Sequence, residues 1–178
     1  MVEWSVSALN SVGVNLSVKG AEHINQSSPQ IFMANHQSNF DIFIVTAALP
    51  VPFFWVYKHT LNSVPVMGRY LKQRGHISIN RRERALAIES LRRAGELIRF
   101  GKNIMVFPEG TRSGQRELLP FKKGVFHLAL EARVPVVPIT INNSFELMRP
   151  GSMKLYRTAV EVVIHPPISL DSIDKEQD

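Results

Sequence analysis

His36 and Asp41 stand five positions apart in the run Asn35-His36-Gln37-Ser38-Asn39-Phe40-Asp41. An imidazole beside a carboxylate is a pairing that can accept a proton. On a regular helix the two side chains would point about 140° apart, since each residue turns roughly 100°. They meet only if His36 lies on a loop and Asp41 in the first turn of the following helix. The carboxylate then holds one ring nitrogen and leaves the other as a general base, the orienting half of a catalytic triad without its serine. The same run also reads as a helix start, with Ser38 or Asn39 as cap and Asp41 favouring the positive helix end. Spacing alone leaves both readings open.

A second polar run, Phe107-Pro108-Glu109-Gly110-Thr111-Arg112-Ser113, follows another apolar stretch. Gly110 allows close backbone approach, Thr111 and Ser113 offer hydroxyls, and Arg112 carries a planar fork suited to phosphate. A polar turn with a solvated arginine would look the same. The chain has no cysteine, which excludes a thiol nucleophile and thiolate metal sites. It also has no Gly-x-Ser-x-Gly elbow to present a nucleophilic serine. No histidine pair has ligand-like spacing beside a carboxylate cluster, so neither a metal nor another cofactor is expected.

The elements that must position these runs come from periodicity. Short β-branched and aromatic runs predict strands at 13–18, 31–34, 53–57, 76–79, 103–107, 136–141 and 159–164. Several lack alternation, as strands covered on both faces do. Helical patterns fill 40–49, 64–74, 82–100 and 123–132, with Ala87, Leu91, Ala94 and Ile98 forming an apolar stripe in the third. Strands alternating with helices predict a single α/β domain over 1–178, a largely parallel central sheet flanked by helices. Both polar runs then fall on loops beyond strand ends, where such sheets gather their sites.

The 178 residues suffice for one core, and 44% hydrophobic with 20% charged residues excludes disorder. The net charge of +6 is uneven: from Arg69 to Arg133 there are 15 Lys and Arg against 6 Glu. That basic middle suits an anionic partner or a solvated face. No RNA-binding motif or basic-aromatic platform accompanies it, so no nucleic-acid partner is expected. The longest charge-free stretch, Ile42 to Tyr57, has 16 residues with Pro50 and Pro52 inside. It is short for a bilayer span and reads as a buried helix followed by a buried strand.

Taken together, the runs resemble the glycerolipid acyltransferase family typified by 1-acyl-glycerol-3-phosphate acyltransferases. Four blocks match in order: residues 35–41 fit its His-x4-Asp block; Gly75-His-Ile-Ser-Ile-Asn-Arg81 fits the second; residues 107–113 the third; Val134-Pro-Val-Val-Pro-Ile-Thr140 the fourth. Tyr57-Lys58, Pro65-Val-Met-Gly68 and Pro120-Phe-Lys-Lys-Gly124 match between them, and the motif-bearing region covers about 11–165. The resemblance implies a glycerol-3-phosphate acyltransferase-like fold. It also implies direct transfer of a fatty acyl group from acyl-CoA or acyl-carrier protein to the free hydroxyl of lysophosphatidic acid, giving phosphatidic acid. By resemblance His36 is the base and Asp41 its orienting group. Arg81, Glu109, Gly110, Thr111 and Arg112 shape the acceptor site, with Lys58 as a further phosphate ligand. Val134, Pro135, Val136 and Pro138 are expected in core and acyl-chain wall, and Lys122 and Lys123 at a helix start facing water. The expected setting is a membrane surface on the cytoplasmic side, the inner membrane in a bacterium. The family's N-terminal membrane helix and its C-terminal helices after Ile168 are not expected within these residues. A sister enzyme acylating another lysophospholipid or glycerol-3-phosphate, a non-catalytic lipid-binding module and a thioester hydrolase are the alternatives.

Overall fold

The computed structural model describes residues 2–149, 151–152 and 154–170. Seven strands form where the β-branched runs lie: β1 (Asn15–Lys19), β2 (Ile31–Ala34), β3 (Phe53–Lys58), β4 (Ile77–Ile79), β5 (Asn103–Val106), β6 (Val136–Asn142) and β7 (Ala159–Ile164). They make one sheet in the order β1-β7-β6-β2-β5-β3-β4. All neighbours are parallel except β6 and β7. The helices are α1 (Val2–Ser11), α2 (Asp41–Ala48), α3 (Met67–Gln73), α4 (Arg84–Arg99), α5 (Lys123–Ala132) and the single turn α6 (Ser144–Leu147). The expected α/β architecture with its largely parallel sheet is the one observed.

β2 shows why the apolar runs do not alternate. All four of its residues are buried. Phe32 and Ala34 join a core layer with Leu9 of α1 and Ile44, Val45 and Ala48 of α2. Ile31 and Met33 point the other way, into a layer with Ala94 and Ile98 of α4 and Val125, Leu128 and Ala129 of α5. A central strand with helices on both faces must be apolar on both. The stripe on α4 behaves as its spacing predicts: Ala94, Gly95 and Ile98 are buried, while Arg92 pairs with Glu89 and Glu96 on the exposed side. The charge-free stretch from Ile42 becomes most of α2 and then β3. Among the described residues no helix is long and apolar enough to cross a membrane.

Two local features differ from expectation. α1 was hidden because its apolar positions are interrupted by Ser5, Ser7 and Asn10; it forms by packing on α2, with Trp4 against Phe43 at 5.1 Å between ring centroids. α3 starts at Met67 rather than Val64, because Val66 adopts φ 64 and ψ −59. The last strand of the sheet to be added in sequence, β7, runs antiparallel to β6 and parallel to β1. The residues after 170, where the family's C-terminal helices would begin, lie outside the described set.

His76, at the start of β4's approach, ties the β3–β4 edge together. It is 6% exposed and its Nδ1 accepts the Trp55 backbone N–H at 3.2 Å. Burial, helped by the nearby Arg74 charge, pushes its pKa below the ordinary histidine value. The unfolded chain takes up a proton as pH falls below about 6.5, while folded His76 refuses it. Stability is therefore full above that pH and declines below it until the folded pKa is reached. Thermal melts across pH 5–7 should show a shallower decline for His76→Gln than for wild type; parallel curves would mean the buried ring does not set the slope.

Candidate active site

The parallel strands β2, β5, β3 and β4 are consecutive in the sheet, so their carboxyl ends lie along one edge. The loop after β2 carries His36, the loop after β5 carries residues 107–113, β3 ends at Lys58, and β4 is followed by Arg81. Lys58 stands in register with Ile79, two residues before Arg81. Topology alone thus gathers all the polar blocks to one side of the sheet.

His36 Nδ1 lies 2.8 Å from Asp41 Oδ2. A carboxylate oxygen accepts, so Nδ1 carries the hydrogen, and in the neutral ring Nε2 then presents its lone pair. Asp41 is fully buried, whereas 16% of the His36 side chain stays exposed. The same Oδ2 also accepts the backbone N–H groups of Gln37 at 2.7 Å and Ser38 at 2.8 Å. The carboxylate therefore serves the loop before α2 and caps no amide of the helix itself. The structure thus pairs His36 on the loop with Asp41 in the first turn of α2, and Ser38 Oγ accepts the Phe40 N–H at 3.3 Å at the same helix start. Ser38, fully buried, donates its hydroxyl to the Met148 carbonyl at 3.1 Å and is turned away from nucleophilic work.

The second loop wraps the histidine. The Phe107 ring stacks on the imidazole, with centroids 4.0 Å apart and planes 8° from parallel. The His36 backbone N–H donates to Glu109 Oε1 at 2.8 Å, and its carbonyl accepts from the Ser113 N–H at 2.8 Å. Glu109 Oε2 accepts the Leu119 N–H at 2.8 Å. Glu109 is 1% exposed, with both carboxylate oxygens taken by backbone amides. It braces His36 from beneath instead of opening toward a substrate. Sequence reasoning grouped it with the acceptor residues and overlooked Phe107, although an aromatic at a strand end beside a polar loop was the available signal.

Arg81 donates through Nη1 to the Gly110 carbonyl, joining the second and third blocks. Gly110 has φ 79, and a Cβ there would collide with the Arg81 guanidinium and meet Lys122 Cγ at 3.5 Å. Only glycine satisfies both the left-handed backbone and the close approach. Arg81 keeps an exposed edge, yet the protein packed on its other side strips hydration and lowers its pKa from the ordinary value. Arg112 is half-buried one residue before the amide that holds the His36 carbonyl; Thr111 and Lys58 are exposed. Lys122 and Lys123 do face water at the start of α5, as expected, but Lys122 lies against Gly110.

A cavity of about 540 Å³ opens beside the histidine loop, touching Asn35, Gln37 and Pro108. Its floor includes Val136 and Pro138 of β6, and its walls include Leu118, Phe121 and Phe126. The size falls within the usual range of ligand pockets, roughly 300–1,000 Å³.

An α/β sheet with a hydrogen-bonded histidine–aspartate pair at its carboxyl edge, beside a glycine–arginine loop and an apolar cavity, fits an acyltransferase-type domain. Residues 15–142 match the Acyltransferase family model, and the chain belongs to that family. It is 36% identical over 169 residues to the 1-acyl-sn-glycerol-3-phosphate acyltransferase of Saccharomyces cerevisiae, covering 93% of this chain and 55% of that protein. It is 34% identical over 169 residues to the protein of the same name from Limnanthes alba, covering 93% and 59%. The chain thus spans little more than half the length of these relatives. The crystal structure of the 1-acyl-sn-glycerophosphate acyltransferase PlsC from Thermotoga maritima superposes with a TM-score of 0.86 at 28% identity, over 98% of this chain and 69% of that one.

Glu109→Gln separates brace from ligand. An amide offers one acceptor oxygen and sets an NH₂ against a backbone N–H, leaving a buried donor unmatched at a cost of about 1–3 kcal/mol. The variant should unfold at lower urea and lose turnover with an unchanged acceptor KM. Wild-type stability with a raised KM alone would return Glu109 to the substrate.

Proposed function

We propose that this chain transfers a fatty acyl group from a thioester to the free hydroxyl of 1-acyl-glycerol-3-phosphate, giving phosphatidic acid, with His36 as general base. The observation that carries the reading is the Nδ1–Asp41 bond, which in a neutral ring puts the lone pair on Nε2. The names and likeness of the relatives support the same substrate pair.

In this reading Nε2 takes the proton of the acceptor hydroxyl as its oxygen attacks the thioester carbonyl. The new C–O bond forms while the carbonyl electrons move to oxygen. The C–S bond then breaks, and the leaving thiolate recovers the proton from Nε2. Asp41 favours the imidazolium that exists between the two transfers. No acyl-enzyme is formed, which agrees with the lack of cysteine and the buried, bonded state of Ser38. The acceptor phosphate carries about two negative charges near neutral pH. Arg81, Arg112 and Lys58 hold it, with the Thr111 hydroxyl and the close approach at Gly110. The cavity over β6 takes an acyl chain, since its walls offer apolar contact next to the reacting centre. Acyl-CoA and acyl-carrier protein both supply the thioester. A lipid acceptor sets the work at a membrane surface, on the cytoplasmic face where such thioesters are held.

His36→Ala should lower kcat by about 10²–10⁴ while the melting curve stays that of wild type, general-base assistance being worth that much. A folded variant retaining over a tenth of wild-type turnover would remove the base from this account.

Arg112→Lys and Arg81→Lys test the phosphate. Lysine gives a point charge where arginine grips two oxygens. Losing one charge-assisted bond of about 1.5–3 kcal/mol should cut kcat/KM for lysophosphatidic acid roughly ten- to hundredfold. A monoacylglycerol acceptor should be poor from the outset and indifferent to either change. Equal losses on both acceptors would assign the arginines to the donor.

A further inference from the structure

Between Leu61 and α3 the chain makes a turn that water alone does not favour. Met67 N–H donates to the Pro65 carbonyl at 2.7 Å, closing a three-residue γ-turn around Val66. Val66 sits at φ 64 and ψ −59, and γ-turns with positive φ are rare and strained. A β-branched residue is among the least suited to that region. The fold over-determines the conformation: Gly68 N–H is held by the Val64 carbonyl at 2.8 Å, Tyr70 N–H by the Val66 carbonyl at 2.9 Å, and a Cβ at Gly68 would collide with the Asn62 carbonyl.

The strain presents an apolar side chain to the outside. Val66 is 84% exposed, with Val64 and Met67 exposed beside it. Along the chain on both sides of this tip the charge has one sign. From Asp41 to Glu83 the sequence contains no acid between those two residues, and it contains Lys58, Arg69, Lys72, Arg74, Arg81 and Arg82. Arg69, Lys72 and Arg74 are exposed on and just after α3, and among the described residues none of them forms an ion pair. An exposed apolar point followed by three exposed cations complements an anionic bilayer: the apolar group enters the acyl boundary and the cations meet headgroup phosphates. The tip follows β3 after one short 3₁₀ helix (His59–Ser63), and Lys58, the last residue of β3, lies at the site edge, so the tip would bring that edge toward the lipid surface.

We propose that the Val64–Met67 turn is a membrane-insertion tip for anionic bilayers, with Val66 as the inserted side chain. The assignment rests on the reading that the acceptor is a membrane lipid, but its test does not need turnover. Phosphatidylcholine vesicles with and without phosphatidic acid serve as probes. The wild type binds the anionic vesicles more tightly than the neutral ones. In Val66→Trp the added emission shifts to the blue on anionic vesicles and is quenched by brominated acyl chains. Val66→Asp lowers vesicle affinity roughly tenfold or more, through lost apolar burial and added repulsion. Val66→Gly relieves the backbone, so it melts no lower than wild type while also binding vesicles less well. With a short-chain acceptor dissolved as monomers, both variants should keep wild-type kcat, which sets this inference apart from the choice of reaction. An unshifted, unquenched tryptophan, or wild-type vesicle affinity in Val66→Asp and Val66→Gly, would overturn it.

Discussion

A buried oxygen, Asp41 Oδ2, takes three donors: the His36 ring and the backbone amides of Gln37 and Ser38. Those bonds fix the loop that leaves β2 and the tautomer of the imidazole together, so loop shape and chemistry cannot drift apart. The second loop completes the restraint from the β5 side, with Phe107 on the ring, Glu109 on the amide and Ser113 on the carbonyl of the same histidine. His36 is thus held at its side chain and at both ends of its peptide unit. Its Nε2 is the part left for chemistry.

The sheet order makes this restraint possible. β2 and β5 are parallel neighbours, with Met33 in register with Val106, so the two loops emerge side by side. The two core layers press on β2 from both faces and leave it little freedom to shift. The cations are arranged differently. Glu109 is spent on backbone amides and Arg81 donates to the Gly110 carbonyl, so among the described residues neither neutralises the other. A site whose carboxylates are buried and whose Arg81 and Arg112 pair with no acid among the described residues suits an anion.

Much of this was legible in the sequence. Strands covered on both faces announce themselves as unbroken apolar runs, and the His36–Asp41 spacing allows the two side chains to meet only in a loop-then-helix geometry. What periodicity could not give was direction and partner. Nothing in the sequence of Glu109 says that both its oxygens point inward to amides 73 and 10 residues away. β7's antiparallel pairing with β6 depends on the course of the connection after α6, which carries no periodic signal. α1 is stabilised by α2, a tertiary effect that its interrupted apolar pattern conceals. Val66 fails for a further reason: local rules assign a valine after proline to an extended or helical state, and only the anchoring at Gly68 drives it to positive φ.

The central claim is that the histidine moves a proton between acceptor and leaving group while the acyl chain never rests on the protein. Single-turnover mixing with an acyl thioester, read by intact-protein mass and by thiol release, addresses it directly. The account predicts that thiol appears only when lysophosphatidic acid is present, at the rate of phosphatidic acid formation, with the protein mass unchanged throughout. A burst of thiol without acceptor, matched by one acyl group added to the protein, would contradict it.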